Sequence, residues 1–358
     1  MKQYRKIIAV AALLACTLLL EGIGRILSGQ LSTQQLAERW SKEEDFAQIS
    51  CFFTEDSGMQ EDMVFSLEQG IRTALEEASI DASNENGRTW LHAYSTEGEL
   101  TLASDRASMK ARAYAVSDDF FLFHPLKLLS GSYMGIDDSE NDSVILDENV
   151  AWQLFGSYNV AGLTVEIGGT VYVIRGVVRS DSGFFSKASN EETPTVYVSY
   201  NIMENQLGEE ALPIDTYELL ITNPVDDFGV TTLETVLSID EGQYEMVENS
   251  ARYELPARFA VLKNFGTRSM NTKAIVYPYW ENRARGYEDV AALLLVIEML
   301  CLLYPLFYVA VKIHDAWKKK DEIKAFLKEK LVSFGKKFWL LLKKTIKTYK
   351  VVNKKKDD

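Results

Sequence analysis

Three histidines, His92, His124 and His314, are available for acid–base or metal chemistry, and none has the spacing that chemistry needs. A zinc hydrolase places two imidazoles one helical turn apart with a carboxylate between them, as in H-E-x-x-H, so that both reach one ion. Here the three are scattered, and each reads as a surface or satisfied core residue. No G-x-S-x-G elbow is present, and none of Cys16, Cys51 and Cys301 has a histidine near it in sequence. The acidic pairs Asp118-Asp119, Asp137-Asp138 and Asp226-Asp227 are adjacent residues, which on a strand point to opposite faces and in a turn cap or solvate. They do not make a calcium loop. No G-x-x-x-x-G-K-[ST] loop cradles a phosphate, so ATP hydrolysis by that route is not expected. The reading is of a non-enzyme, with no catalytic, cofactor-binding or metal-ligating residues and no cofactor.

Two charges in apolar surroundings carry more information. Glu298 stands well inside the run Val290–Val311, where an isolated carboxylate is costly. Arg25 lies near the far end of another apolar stretch, Ile7–Leu20 extended to Leu27, with Glu21 one turn deeper. A pair between Arg25 and Glu298, within one chain or across a dimer, lowers the cost of both. A second reading has Glu298 facing another membrane subunit. Both require helix–helix assembly, as a homo- or hetero-oligomer or within one chain.

The two stretches that hold these charges are long enough to cross a bilayer, which takes roughly 20 apolar residues. Val290–Val311 is interrupted by Glu298 and Pro305 alone and is followed by Lys312 and Lys318–Lys320. The first stretch admits three readings. An uncleaved anchor over residues 7–27 is favoured, because Thr17-Leu18-Leu19-Leu20 prolongs the apolar run. A signal-peptide core and a lipoprotein box at Leu13-Leu14-Ala15-Cys16 are the other two.

Charge sets the orientation. Lys2, Arg5 and Lys6 precede the first run, and from Lys312 to Asp358 sixteen lysines stand against six acids. The whole chain carries −14, which leaves −27 for the stretch between those basic ends. Basic flanks stay in the cytoplasm while long loops cross regardless of charge. The expected arrangement is a cell-membrane protein crossing twice, with residues 1–6 and 312–358 inside and an acidic domain outside. In the tail, Ile323, Phe326, Leu327, Leu331, Phe334, Phe338, Leu341 and Leu342 recur at helical spacing among lysines. Such a helix lies on an anionic inner leaflet, or packs on a partner protein. The apolar stripe and the adjoining span argue against nucleic acid.

Between the spans lie roughly 260 residues, enough for a substantial core. Residues 28–45 are polar and read as a helical stalk. Phe46–Phe53 alternates as a strand, in which Cys51 is a small buried hydrophobe beside Ile49 and Phe53. Asp56-Ser57-Gly58 turns the chain, and a helix follows from about Glu61 to Ala78 with Met63, Leu67, Ile71 and Leu75 on one face. The pattern returns late. Tyr217–Ile221 reads as a strand and Asn223-Pro224 as a turn. Asp226 or Asp227 then caps a helix bearing Phe228, Leu233, Val236 and Leu237, and a strand follows at Tyr244–Val247. The middle, about 113–200, is β-rich, with strands at Val144–Leu146, Thr164–Ile167, Val171–Val178 and Thr195–Val198. Gly168-Gly169 joins two of these as a hairpin, and Asn149–Phe155 is a short helix. Ser180–Thr193, with Phe184 and Phe185, reads as an exposed tip. The fold class is α+β: two strand–helix halves with an inserted β-rich module, flanked by two transmembrane helices.

From residue 115 to 178 the order of short motifs becomes recognisable. Ala115-Val116-Ser117-Asp118-Asp119-Phe120-Phe121 leads to Leu128-Leu129-Ser130-Gly131-Ser132-Tyr133. Val144-Ile145-Leu146-Asp147-Glu148-Asn149-Val150-Ala151-Trp152-Gln153-Leu154-Phe155-Gly156 and Val160-Ala161-Gly162-Leu163-Thr164-Val165 follow, and Val171-Tyr172-Val173-Ile174-Arg175-Gly176-Val177-Val178 closes the series. This resembles the MacB-like periplasmic core domain of FtsX-like ABC transporter permeases, and would make residues 46–289 that domain. The matching residues specify a fold and carry no catalytic set.

The resemblance implies a permease-type subunit served by a separate cytoplasmic ABC ATPase, its outer domain moving with the membrane helices. Such permeases have three further membrane helices after this domain, whereas here one apolar run follows, which implies a fuller permease partner. Lys312–Lys330, with Lys312, Lys318, Lys319, Lys320, Lys324 and Lys328, stands where the ATPase-contacting helix would be. The competing reading is an anchored extracytoplasmic binding or sensing module that regulates a partner permease.

Overall fold

The structure is a computed structural model that describes residues 2–42, 45–80, 88–134, 142–180, 185, 193–208, 211–265, 275–318, 328, 330–334 and 339. Asp137-Asp138, most of the expected tip Ser180–Thr193 and most of the tail after Lys318 lie outside them. The chain divides into an outer unit, Gly22–Leu295, and a second unit of Met1–Glu21 with Val296–Asp358.

The elements run α1 (Lys2–Ser28), α2 (Leu36–Trp40), β1 (Phe46–Phe53), α3 (Glu61–Glu77), β2 (Trp90–Ala103), β3 (Ser108–Val116), α4 (Phe120–Phe123), β4 (Leu128–Gly131) and β5 (Ser143–Asp147). Then come α5 (Glu148–Phe155), β6 (Thr164–Ile167), β7 (Thr170–Val178), β8 (Thr195–Val198), α6 (Tyr200–Leu207), β9 (Thr216–Thr222), α7 (Phe228–Val236), β10 (Tyr244–Glu248), α8 (Leu255–Lys263) and α9 (Tyr279–Lys318).

Among the described residues, one sheet of ten strands organises the outer unit, in the order β10-β1-β9-β2-β3-β8-β5-β7-β4, with β6 bridging β2 and β7. The β-rich middle extends the sheet of the flanking halves through a parallel β3–β8 pairing. The Gly168-Gly169 hairpin joins β6 to β7, in register Ile167 to Thr170. Gly131 of β4 faces Gly176 of β7, and at its φ of +74° a Cβ would collide with the Arg175 carbonyl, so a side chain is excluded there.

Both faces of the central strands are covered. Ala47, Ile49, Cys51 and Phe53 point into one core with Leu219 and Ile221, roofed by Val64, Leu67, Ile71 and Leu75 of α3 and by Leu233 of α7. Val64 takes the fully buried place expected of Met63, which is half-buried. Gly70 lets α3 approach α7, for a Cβ there would stand 2.6 Å from a methyl of Val236. Burial pushes the Cys51 thiol far up from its ordinary range, so it packs as an inert hydrophobe. The opposite face holds Leu91, Tyr114, Phe120, Phe123 and Leu220 against Tyr279 and Trp280 at the start of α9.

Three local expectations change. Among the described residues of the stretch 28–45 there is no continuous helical stalk: after α1 come a 3-10 turn at Ser32–Gln34 and the short α2, with Leu31 and Leu36 buried. Gln48 of β1 holds them on the sheet, donating to the Thr33 carbonyl at 2.6 Å and accepting from the Leu36 amide at 2.8 Å. Neither Asp226 nor Asp227 supplies a side-chain cap to α7. Asp227 sits at φ +65°, and Asn223 Oδ1 accepts from the Gly229 amide at 3.1 Å instead. The helix containing Val290–Val311 starts earlier than its apolar run, at Tyr279.

Helices α1 and α9 are long and apolar enough to cross a membrane, by length and composition. The thiols of Cys16 and Cys301 lie within hydrogen-bonding reach of each other.

Candidate functional site: a buried polar network at the foot of α9

A chain of buried polar side chains crosses the covered face of the sheet and ends on the first turns of α9. His124, stacked on Phe120 at 4.3 Å and tilted against Trp280 at 4.4 Å, pairs through Nε2 with Glu218 of β9. Ser50 of β1 donates to the other Glu218 oxygen at 3.1 Å, and Asn249 donates to Ser50 at 2.8 Å. Arg252 donates to Asn249 at 3.1 Å and grips Glu281 of α9 with two bonds of 2.7 Å. Its Nε donates to Glu288 at 2.7 Å. Arg285, one turn after Glu281, donates to it at 2.6 Å and to Glu245 of β10 at 2.7 Å. Tyr277 donates to the second Glu245 oxygen, and the Arg285 guanidinium lies 3.8 Å over the Tyr277 ring.

The fork of each arginine fits two carboxylate oxygens, so orientation as well as charge is specified. Burial pushes the Arg252 guanidinium down, and Glu281 beside it more than reverses this, leaving it above its ordinary value. The network locks the end of β10, the loop after it and the first turns of α9 into one arrangement.

Sequence reasoning missed these residues. Glu281, Arg285 and Glu288 precede the apolar run, and nothing in their local pattern distinguishes a solvated turn from a buried ionic cluster. The one available signal was Arg285 four residues after Glu281, an i,i+4 pair. Phe185, expected on an exposed tip, instead packs edge-on against Tyr287 at 5.4 Å, over Gly286, where a Cβ would come within 2.9 Å of its ring.

The residues singled out beforehand fall elsewhere. Arg25 ends α1 in the outer unit, and Glu298 belongs to the second unit, where it is buried. Lys312 and Lys318 are exposed on α9, and Lys328 is exposed; Lys319, Lys320 and Lys324 lie outside the described residues. His314 is exposed on α9, and His92 Nε2 lies 3.1 Å from the Glu68 carboxylate.

Residues 7–237 match the MacB-like periplasmic core domain family. The chain belongs to that family. The match takes in the sheet from β1 to β9 and stops before β10, so Glu245, Arg252, Glu281 and Arg285 lie beyond it. Members are transporter permease components, and this MacB-like chain is a transporter-associated membrane protein with an extracytoplasmic-type domain.

Among solved structures, the periplasmic region of MacB from Actinobacillus actinomycetemcomitans is similar at 15% identity, over 63% of this chain and 94% of that one, with a TM-score of 0.43. The extracellular domain of the noncanonic ABC-type transporter YknZ from Gram-positive bacteria aligns at 15% identity over 56% of this chain and 99% of that one, TM-score 0.40. A domain of a permease protein from Porphyromonas gingivalis aligns at 12% identity over 57% and 88%, TM-score 0.35. No curated protein matches the chain.

Proposed function

We propose that this MacB-like protein is a permease-like subunit of an ABC transporter complex, whose outer domain contacts or couples to substrate while a separate cytoplasmic ATPase supplies the energy. The observation that carries this reading is the buried network, in which Arg252 and Glu245 of the outer domain hold Glu281 and Arg285 of the helix that continues into the apolar run. A helix clamped through two charged forks transmits displacement, whereas a tether joined through a polar linker would not. Both termini lie in the cytoplasm in this reading. Arg25 and Glu298 compensate one another or a partner subunit. The segment from Lys312 through Lys318, Lys319, Lys320, Lys324 and Lys328 touches the ATPase or the anionic inner leaflet.

Among the described residues two helices are candidate spans, and the second reading is an anchored binding or sensing module that regulates a fuller permease. Affinity capture of the detergent-extracted full chain, followed by mass spectrometry, separates the two. The first reading expects an ABC ATPase in the eluate, lost when residues 312–330 are deleted. Capture of neither ATPase nor permease sinks it and leaves the sensor.

A further inference from the structure

Helix α8 is turned inside out for a helix on the surface of a soluble domain. Glu254 leads into it in extended backbone, and Pro256 in the first turn presets the helical φ. Its buried residues are Arg258 and Val261. Leu255 and Phe259, with Phe265 just beyond the helix, are instead 52%, 46% and 49% exposed. From Leu255 to Phe265 the exposed polar residues are Lys263 and Asn264 alone. A surface helix in water shows its charged face to solvent and its apolar stripe to the core. Single exposed apolar side chains are ordinary, but a guanidinium turned inward with rings turned outward makes a face unsuited to water.

The neighbours of α8 indicate what covers that face. Tyr253, two residues ahead of it, donates to Gln34 at 3.2 Å and packs with Leu31, Ala284 and Tyr287. One turn further on, the Arg258 guanidinium reaches α1 and α9 where both are apolar. A Cβ at Gly24 would stand 3.9 Å from Arg258 Nη1 and 3.9 Å from Leu294. Leu294 lies four residues inside the run that begins at Val290, about 6 Å along the helix axis. Helices that lie flat on a membrane sink their apolar face about 5–10 Å into the headgroup–acyl boundary. Ile23 and Ile26 of α1 and Leu293 of α9, beside that contact, are exposed as well. The apolar surface of α8 therefore adjoins that of the two candidate spans. Lys263, one turn after Phe259, has the reach to carry its ammonium back to lipid phosphates.

We propose that α8 is an interfacial helix lying in the leaflet on the side of the outer domain, with Leu255, Phe259 and Phe265 among the acyl chains and Lys263 at the phospholipid phosphates. The inference takes α1 and α9 as spans and makes no use of an ATPase. Its consequence is mechanical. Arg252 of the buried network stands three residues before α8, so the network is held between the sheet and the membrane surface.

A nitroxide on the full chain, reconstituted in vesicles of phosphatidylcholine and phosphatidylglycerol, tests this. The label is carried by Phe259→Cys, by Phe265→Cys or, on the exposed side of α7, by Glu234→Cys. The parent chain has Cys16→Ala and Cys301→Ala, and the buried Cys51 is left in place. Power-saturation EPR compares contact with oxygen, which concentrates in lipid, against contact with a water-soluble nickel chelate. Oxygen contact should exceed chelate contact at 259 and 265, and the order should reverse at 234. Both phenylalanines are exposed, so the labelled variants should keep the unfolding midpoint of the parent. Chelate contact at 259 and 265 equal to that at 234 would place α8 in water and overturn the proposal. Shielding from both reagents would mean that protein, a second copy or another subunit, covers the face, and would overturn it equally. The outcome is independent of the capture experiment: a chain that captures an ATPase can fail here, and one that captures none can pass.

Discussion

At the scale of single residues, two carboxylates show how burial and pairing compete. Asp147 is 2% exposed at the start of α5, where its Oδ1 accepts from the Val150 amide at 2.7 Å. Burial raises its pKa, against the lowering effect of Val150, Ser180 and Asn149, to about 6. A carboxyl held above its unfolded value near 3.9 binds more protons in the folded state through that interval, so stability falls as pH rises. The contribution is fully present below about pH 4 and lost above about pH 6, an effect of about 3 kcal/mol. Denaturant unfolding of the full chain between those limits should show that decline, and Asp147→Asn, which keeps the cap acceptor, should flatten it. Glu281 is the opposite case, buried but gripped by Arg252 and Arg285. Glu281→Gln takes one of two carboxylate partners from each of two buried guanidinium groups, leaving Glu288 to Arg252 and Glu245 to Arg285, and should cost about 3 kcal/mol. Glu99→Gln removes one partner of the exposed Lys110–Glu99 pair and should hardly alter the unfolding midpoint. Equal effects of the two substitutions would deny the network its structural role.

At the scale of elements, helical and strand periods mapped well onto α3, β1, β6, β7 and β9, because each carries its apolar residues on a face that the core then covers. The long β2 and its partner β3 escaped notice, since His92, Ser95, Glu97 and Glu99 interrupt the apolar alternation that marks a strand. Their pairing is set by nine cross-strand partners, from Ser95–Val116 to Ala103–Ser108, which no local pattern specifies. The two apolar helices make a prediction of their own. With the Cys16 and Cys301 thiols within hydrogen-bonding reach, mild oxidation of membranes should link them within one chain. Peptide mass spectrometry under non-reducing conditions would detect the bond, and its absence would mean that α1 and α9 do not meet at this level.

At the scale of the whole molecule, charge asymmetry is the main constraint. An acidic stretch of −27 between basic ends suits a domain exported across the membrane, with the lysines of the tail retained inside. Cysteine-specific or epitope tags at each terminus should therefore resist an impermeant reagent in intact cells and react after permeabilisation. Labelling of either tag in intact cells would reverse the assigned orientation and remove the cytoplasmic ATPase contact with it.

The two apolar runs, the acidic domain between them, the β-rich middle and the family resemblance were all legible from residue order, because hydropathy, charge and turn chemistry act locally along a chain. The network was not. Ser50 and Glu218 lie 168 positions apart, and Asn249 and Ser50 lie 199 apart, so only the packing of β9 against β1, and of the loop after β10 beside them, brings these groups together. A lone Glu, Ser or Arg reads as a solvated residue until the fold removes its water. Tertiary structure decided which charges are buried as partners, and with that which turns of α9 belong to the outer domain.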